Sequence, residues 1–148
     1  MRATTESTKL RIVYDDSARA SSGSPSLNDC LHTGPPLQNK LWSVLVRERF
    51  NPVAITGDLQ EAFLQVRVRE TDHDAMRFYW RRDEQSPLET LRFTRALFGL
   101  APSLFLLGGV IEMHLNNWEE REPELVAKIR KELYVDDLIS GSTTVCKT

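Results

Sequence analysis

LYVDDLISGS, residues 133–142, consists of two short apolar runs separated by a pair of acids, Asp136 and Asp137. That pattern predicts a β-hairpin with the acids at its tip. A second apolar run ending in an acid, VAITGD (53–58), predicts a buried strand that delivers Asp58 to its exposed end. A carboxylate at the end of a buried strand is held rigidly by its backbone, as a metal site requires. Taken alone, Asp136–Asp137 reads more readily as an ordinary solvated turn, because aspartate favours turns.

The segments between these two runs predict the rest of a mixed fold. LQEAFLQVRV (59–68) reads as a turn or short helix passing into an alternating strand around Leu64, Val66 and Val68. AMRFYW (75–80) and LETLRFTR (88–95) predict two more strands joined by a charged loop. From Pro102 to Trp118, the residues Leu104, Leu107, Ile111, Leu115 and Trp118 mark one helical stripe, and Pro123 opens a shorter helix. Upstream, KLRIVYD (9–15) reads as a strand, ASSGSPSLND (20–29) as a loop and TGPP (33–36) as a second break. Leu37, Leu41, Val44 and Leu45 predict a helix from Leu37 to Arg49, stopped by Asn51-Pro52. Trp42, Trp80 and Trp118 are expected as core or half-core anchors. No repeat and no dividing linker is visible. The expected class is α+β, an antiparallel sheet covered by helices on one face.

Composition narrows the function. At 148 residues, 41% hydrophobic and 27% charged, the chain has the balance of one globular domain rather than a disordered segment. The net charge of −2 argues against gripping nucleic acid through overall positive charge. The charge is uneven, with residues 1–50 net +2 and residues 101–148 net −3. Cys30 and Cys146 lie too far apart to suggest a zinc site or disulfide framework, so a reducing compartment is expected. His32, His73 and His114 lack ligand spacing. The polar N-terminus predicts no signal peptide. The longest uncharged stretch, Ala96 to Ile111, is broken by Pro102 and glycines and is too short for a bilayer, so no membrane partner is expected.

Carboxylates brought together repel one another unless a cation sits between them. Mg²⁺ favours oxygen ligands, usually one or two carboxylates plus substrate phosphates. Asp58, Asp136 and Asp137 therefore suggest phosphoryl transfer by two metals about 3.5–4 Å apart.

Four motifs in order carry a family resemblance. YVDD (134–137) resembles the catalytic box of reverse transcriptases, and AITGDLQEAF (54–63) resembles their first catalytic motif. LFGLAPSLF (97–105) resembles the segment that contacts nucleotide and template, and KLRIVYD with SLND (26–29) resembles the fingers strand. The wording is most similar to the Bel-Pao class of LTR retrotransposons. The resemblance implies a right-hand polymerase palm with part of the fingers and no thumb. Residues 1–8 would be a flexible N-terminus and 9–148 a partial reverse transcriptase domain, with fingers over about 9–50 and palm over about 51–148.

The implied reaction is attack of a primer 3′-oxygen on the α-phosphate of a dNTP, directed by an RNA or DNA template. By this resemblance Asp58 and Asp136 are the main metal ligands and Asp137 is supporting, with two Mg²⁺ ions for which Mn²⁺ can substitute. Arg11 would bind the triphosphate, with Lys9 a weaker candidate. Phe63 would lie under the sugar and exclude a 2′-hydroxyl, and Gly99 would let backbone approach nucleotide or template. Thumb and RNase H regions of a longer polyprotein are the expected partners, so the isolated fragment is expected to be inactive. The implied location is a cytoplasmic particle, with the nucleus as the alternative.

Two departures stand out. Leu104 occupies a usual proline position, and Asp16 adds a second acidic pair, Asp15–Asp16, read as a feature of the fingers strand rather than a site. An inactive domesticated or decayed remnant, acting only as a nucleic-acid or protein binding module, is the alternative function. A small RNA-recognition sheet is a further one, although its K/R-G-F/Y-type box is missing.

Overall fold

The structure, a computed structural model, describes residues 14–143. The expected strand over 9–15 thus lies mostly outside the described residues, as do Lys9, Arg11 and Cys146.

The first element is one helical turn, α1 (Leu27–Cys30), inside the stretch read as a loop. A capping box explains it: the Ser26 hydroxyl accepts from the Asp29 amide at 3.2 Å, and the Asp29 carboxylate accepts from the Ser26 amide at 2.8 Å. The next helix, α2 (Leu41–Glu48), begins four residues later than its apolar spacing predicts. Asn39 is the reason, because its Nδ2 donates to the carbonyls of Arg130 (2.7 Å) and Leu133 (2.8 Å) and ties that segment to the junction of a distant helix and strand. Only Val44 of the predicted α2 stripe is buried. Leu37, Leu41 and Leu45 stay open to solvent.

β1 (Val53–Asp58) and α3 (Ala62–Gln65) follow as expected, then a 3₁₀ helix over Glu70–Met76. The ribbon β2 (Arg77–Trp80) and β3 (Glu89–Arg92) comes next. α4 (Ser103–Asn116) and α5 (Pro123–Glu132), the latter with Pro123 in its first turn, lead into β4 (Leu133–Tyr134) and β5 (Asp137–Ser142).

The fold is α+β with two small antiparallel sheets rather than one covered sheet. In the first, the order is β1-β5-β4, with Val53 opposite Ser142 at one end and Asp58 opposite Asp137 at the other. The second is the β2–β3 ribbon, with Arg77 opposite Arg92 and Trp80 opposite Glu89. The strand expected around Val66 shrinks to one antiparallel bridge, Arg67 opposite Arg95. Among the described residues, no helix is long and apolar enough to cross a membrane.

Two apolar clusters hold these pieces together. Ala62, Phe63, Val66, Ala96 and Leu107 form one, with Ile111 and Val135 packed against it. Met76, Leu97 and Leu100 form the other, joined by Tyr14, Leu27 and Phe93. Val68 touches both. Helices α2 and α5 pack on β5 and on each other. β1 is one edge of this sheet, and five of its six residues are exposed, which corrects the expectation of a buried strand. The tryptophans are corrected too: Trp42 is 71% exposed and Trp118 45%. Trp118 instead lies under the Arg121 guanidinium, 5.9 Å from its ring centre, a cation–π distance.

Candidate active site

The sheet register brings the acids together. Asp58 ends β1 directly opposite Asp137, which places their Cβ atoms about 4.5–5.5 Å apart. Pairing continues one step beyond the strand, where the Leu59 amide donates to the Asp136 carbonyl at 2.9 Å. Like charges directly opposite in a ladder are unfavourable. This junction therefore concentrates negative charge on a rigid backbone frame.

The hairpin that presents Asp136 is strained. Tyr134 pairs with Asp137, so Val135 and Asp136 form a two-residue loop. Val135 has φ = 58°, while no such angle occurs at Asp136, the pattern of a type II′ turn that ordinarily takes glycine at its first central position. A β-branched residue in the left-handed region is costly and persists only where its surroundings over-determine it. Here the Val135 side chain packs against the cluster of Ala62, Phe63 and Leu107, which secures the loop carrying Asp136. Glu61 is a second non-glycine residue in this region, with φ = 52°, at the entry to α3.

These segments line a cavity of about 700 Å³. Asp58, Leu59, Glu61, Ala62, Phe63, Leu64 and Asp136 form its acidic wall. Facing residues come from Tyr14, from the ribbon (Phe78, Trp80, Leu91, Phe93) and from Leu97 and Phe98. Phe78 and Phe93 stack at 4.6 Å, Tyr14 meets Phe93 edge-on at 5.6 Å, and Phe63 meets Phe98 edge-on at 5.6 Å. The Tyr14 hydroxyl donates to the Arg77 carbonyl at 3.2 Å. Burial raises the pKa of that hydroxyl, with the Asp16 charge as a smaller contribution.

The sequence-derived site residues fare differently. Asp58, Asp136 and Phe63 meet at this cavity. Phe63 is also a core residue, so its ring has both a packing and a lining role. Asp137 is exposed and faces Asp58 in the ladder without lining the cavity. Gly99 has φ = +107°, and a Cβ there would lie 3.0 Å from Asp16 Oδ2. Its glycine is thus required by the turn and by Asp16, and its neighbour Phe98 reaches the cavity. Asp16 is buried, and its Oδ2 has no hydrogen-bond partner. Leu104 is 41% exposed in the first turn of α4.

Sequence reading missed the aromatic wall and its clamp. The wall was signalled by period-two spacing, Phe78 and Trp80 on one strand and Leu91 and Phe93 on its partner segment. The clamp is Asn28, within the SLND motif. Its Nδ2 donates to the Gly99 carbonyl at 3.0 Å, and its Oδ1 accepts from the Ala101 amide at 2.7 Å. The loop bearing Phe98 is so fastened to α1. No sequence feature marks contacts of such long range.

Among the described residues, no group of three or more His, Cys, Asp or Glu side chains is gathered to hold a metal ion. Asp58 and Asp136 form a two-carboxylate set. That set suits Mg²⁺, which takes one or two carboxylates and completes its shell with water and substrate phosphate. No family model matches the chain, and no curated protein matches it.

Proposed function

We propose that this cavity is the nucleotidyl-transfer site of a palm-type RNA-directed DNA polymerase related to retrotransposon reverse transcriptases. One observation carries the reading: Asp58 and Asp136, from the two motifs that resemble catalytic boxes, line the same cavity as Phe63. Asp58 and Asp136 would hold the divalent ions, with Asp137 adding negative charge beside Asp58. Magnesium, when bound, supplies positive charge that neutralises the phosphates and the oxygens developing charge. The chain's own residues then position the substrate. The ribbon aromatics offer apolar faces on which a base can stack. The Phe63 ring, pinned between the core and Phe98, is placed to sit against the sugar and crowd out a 2′-hydroxyl. Primer and template complete the site, and in-line placement of the primer oxygen sets the rate.

The test is equilibrium binding of dATP and ATP to the chain with and without Mn²⁺. Binding of dATP should require the ion and disappear in Asp58→Asn/Asp136→Asn. Phe63→Val should bring ATP binding up toward that of dATP. Ion-independent dATP binding, or an unchanged dATP/ATP ratio in Phe63→Val, would count against the reading.

A further inference from the structure

The structure carries two arginine pairs that face each other directly across antiparallel strands, and they differ in one respect. In the ribbon, Arg77 is opposite Arg92, and Asp74 bridges both: its Oδ2 lies 2.8 Å from Arg77 Nη2 and its Oδ1 2.9 Å from Arg92 Nη1. At the isolated bridge, Arg67 is opposite Arg95. No described carboxylate lies within ion-pair reach of either guanidinium, and the one bond formed is from Arg95 Nη1 to the Gln65 carbonyl at 3.3 Å. Like charges directly opposite destabilise a strand pair. In the first pair one carboxylate bridges both cations within the chain. The second pair has no described carboxylate to do so.

Its placement indicates what neutralises it. Val66 and Val68, on either side of Arg67, pack in the core, so alternation turns Arg67 outward and it is exposed. Arg95 opposite it is half-buried and shares the period-two face of the cavity residues Phe93 and Leu97. Arg95 lies two residues before Leu97, and Arg67 four residues after Phe63, and both Leu97 and Phe63 line the cavity. At about 3.3 Å per residue, Arg95 is within roughly 7 Å of chain from the cavity wall. A planar guanidinium presents paired donors that match phosphate oxygens. We infer that Arg67 and Arg95 bind backbone phosphates of a single-stranded nucleic acid running past the cavity. The identity of this polyanion as template rests on the polymerase reading. The charge geometry does not.

The experiment is binding of a fluorescently labelled single-stranded RNA to the full chain across a KCl series. Each phosphate contact on a single strand contributes about −0.7 to the slope of log affinity against log salt, so losing two should flatten it by about 1.4. Arg67→Gln/Arg95→Gln should show that flattening, while Arg67→Lys/Arg95→Lys keeps most of the slope. Arg77→Gln/Arg92→Gln should flatten the slope clearly less, because Asp74 already engages both of those cations. Removing a repulsive pair should not lower Tm, so a melting curve verifies the fold of each variant. Equal slopes in the wild type and the Gln/Gln variant, absence of RNA binding by the wild type, or equal competition by poly-glutamate would overturn the inference. The polymerase reading stands or falls separately, on ion-dependent dATP binding at Asp58 and Asp136.

Discussion

The two walls of the cavity are built by different physics. The acidic wall hangs on backbone pairing, with Asp58 and Asp136 fixed by the β1–β5 register and by a turn whose strained Val135 is anchored in the core. The aromatic wall hangs on ring packing in a two-stranded ribbon, with Phe98 added by a loop that Asn28 clamps. Isolated two-stranded ribbons are marginal alone. The acidic wall should therefore be the stiffer partner and the aromatic wall the one that adapts to a ligand.

The largest expected effect comes from undercutting the acidic wall. Leu107 is buried in the same cluster as Phe63, against which Val135 packs. Leu107→Ala should cost about 2–5 kcal/mol in urea denaturation, the range for a buried leucine that leaves a cavity. A loss comparable to a surface change would show that the hairpin does not depend on this core.

Asn28→Ala comes next and addresses the other wall. It removes both clamp bonds and leaves the Ala101 amide without its acceptor, for about 1–3 kcal/mol. Amide exchange should accelerate at Ala101 while Leu59, bonded to Asp136, keeps its protection. Equal acceleration at both would mean the walls are one cooperative unit.

The smallest effect is a pH dependence confined to the ribbon. Hydrogen bonds from Arg92 first, and then from Arg77, hold the Asp74 carboxyl below the usual carboxylate range. A depressed folded-state pKa contributes stability above the unfolded value, and that contribution is lost as pH falls through the folded one. Protection of the Phe78 and Leu91 amides, relative to their intrinsic exchange rates, should therefore fall selectively on acidification below the usual carboxylate range. Asp74→Asn should be loosened at every pH and lack this acid step.

What the sequence revealed follows the same division. The hairpin over 133–142, the strand over 53–58 and the helix opened by Pro123 were legible because local alternation, turn chemistry and a proline specify them. The meeting of Asp58 with Asp136 was legible through motif order. The exposure of β1 was not, because alternation says nothing about which strand is the edge. Trp42 and Trp118 were misread because a large apolar ring gives no sign of whether tertiary structure covers it. Asn39 shortened α2 and Asn28 clamped the Phe98 loop through bonds to residues far along the chain.

Everything proposed for the site depends on Asp58 and Asp136 acting as one cation site. Paramagnetic relaxation of backbone amides during Mn²⁺ titration reads this without requiring catalysis. In the wild type, signals from residues 57–59 and 135–137 should broaden first and saturably, while those of the β2–β3 ribbon broaden later. In Asp58→Asn/Asp136→Asn that early broadening should vanish, leaving only weak, unsaturated effects at scattered surface acids. Equal, saturable broadening of these segments in both proteins would contradict the assignment.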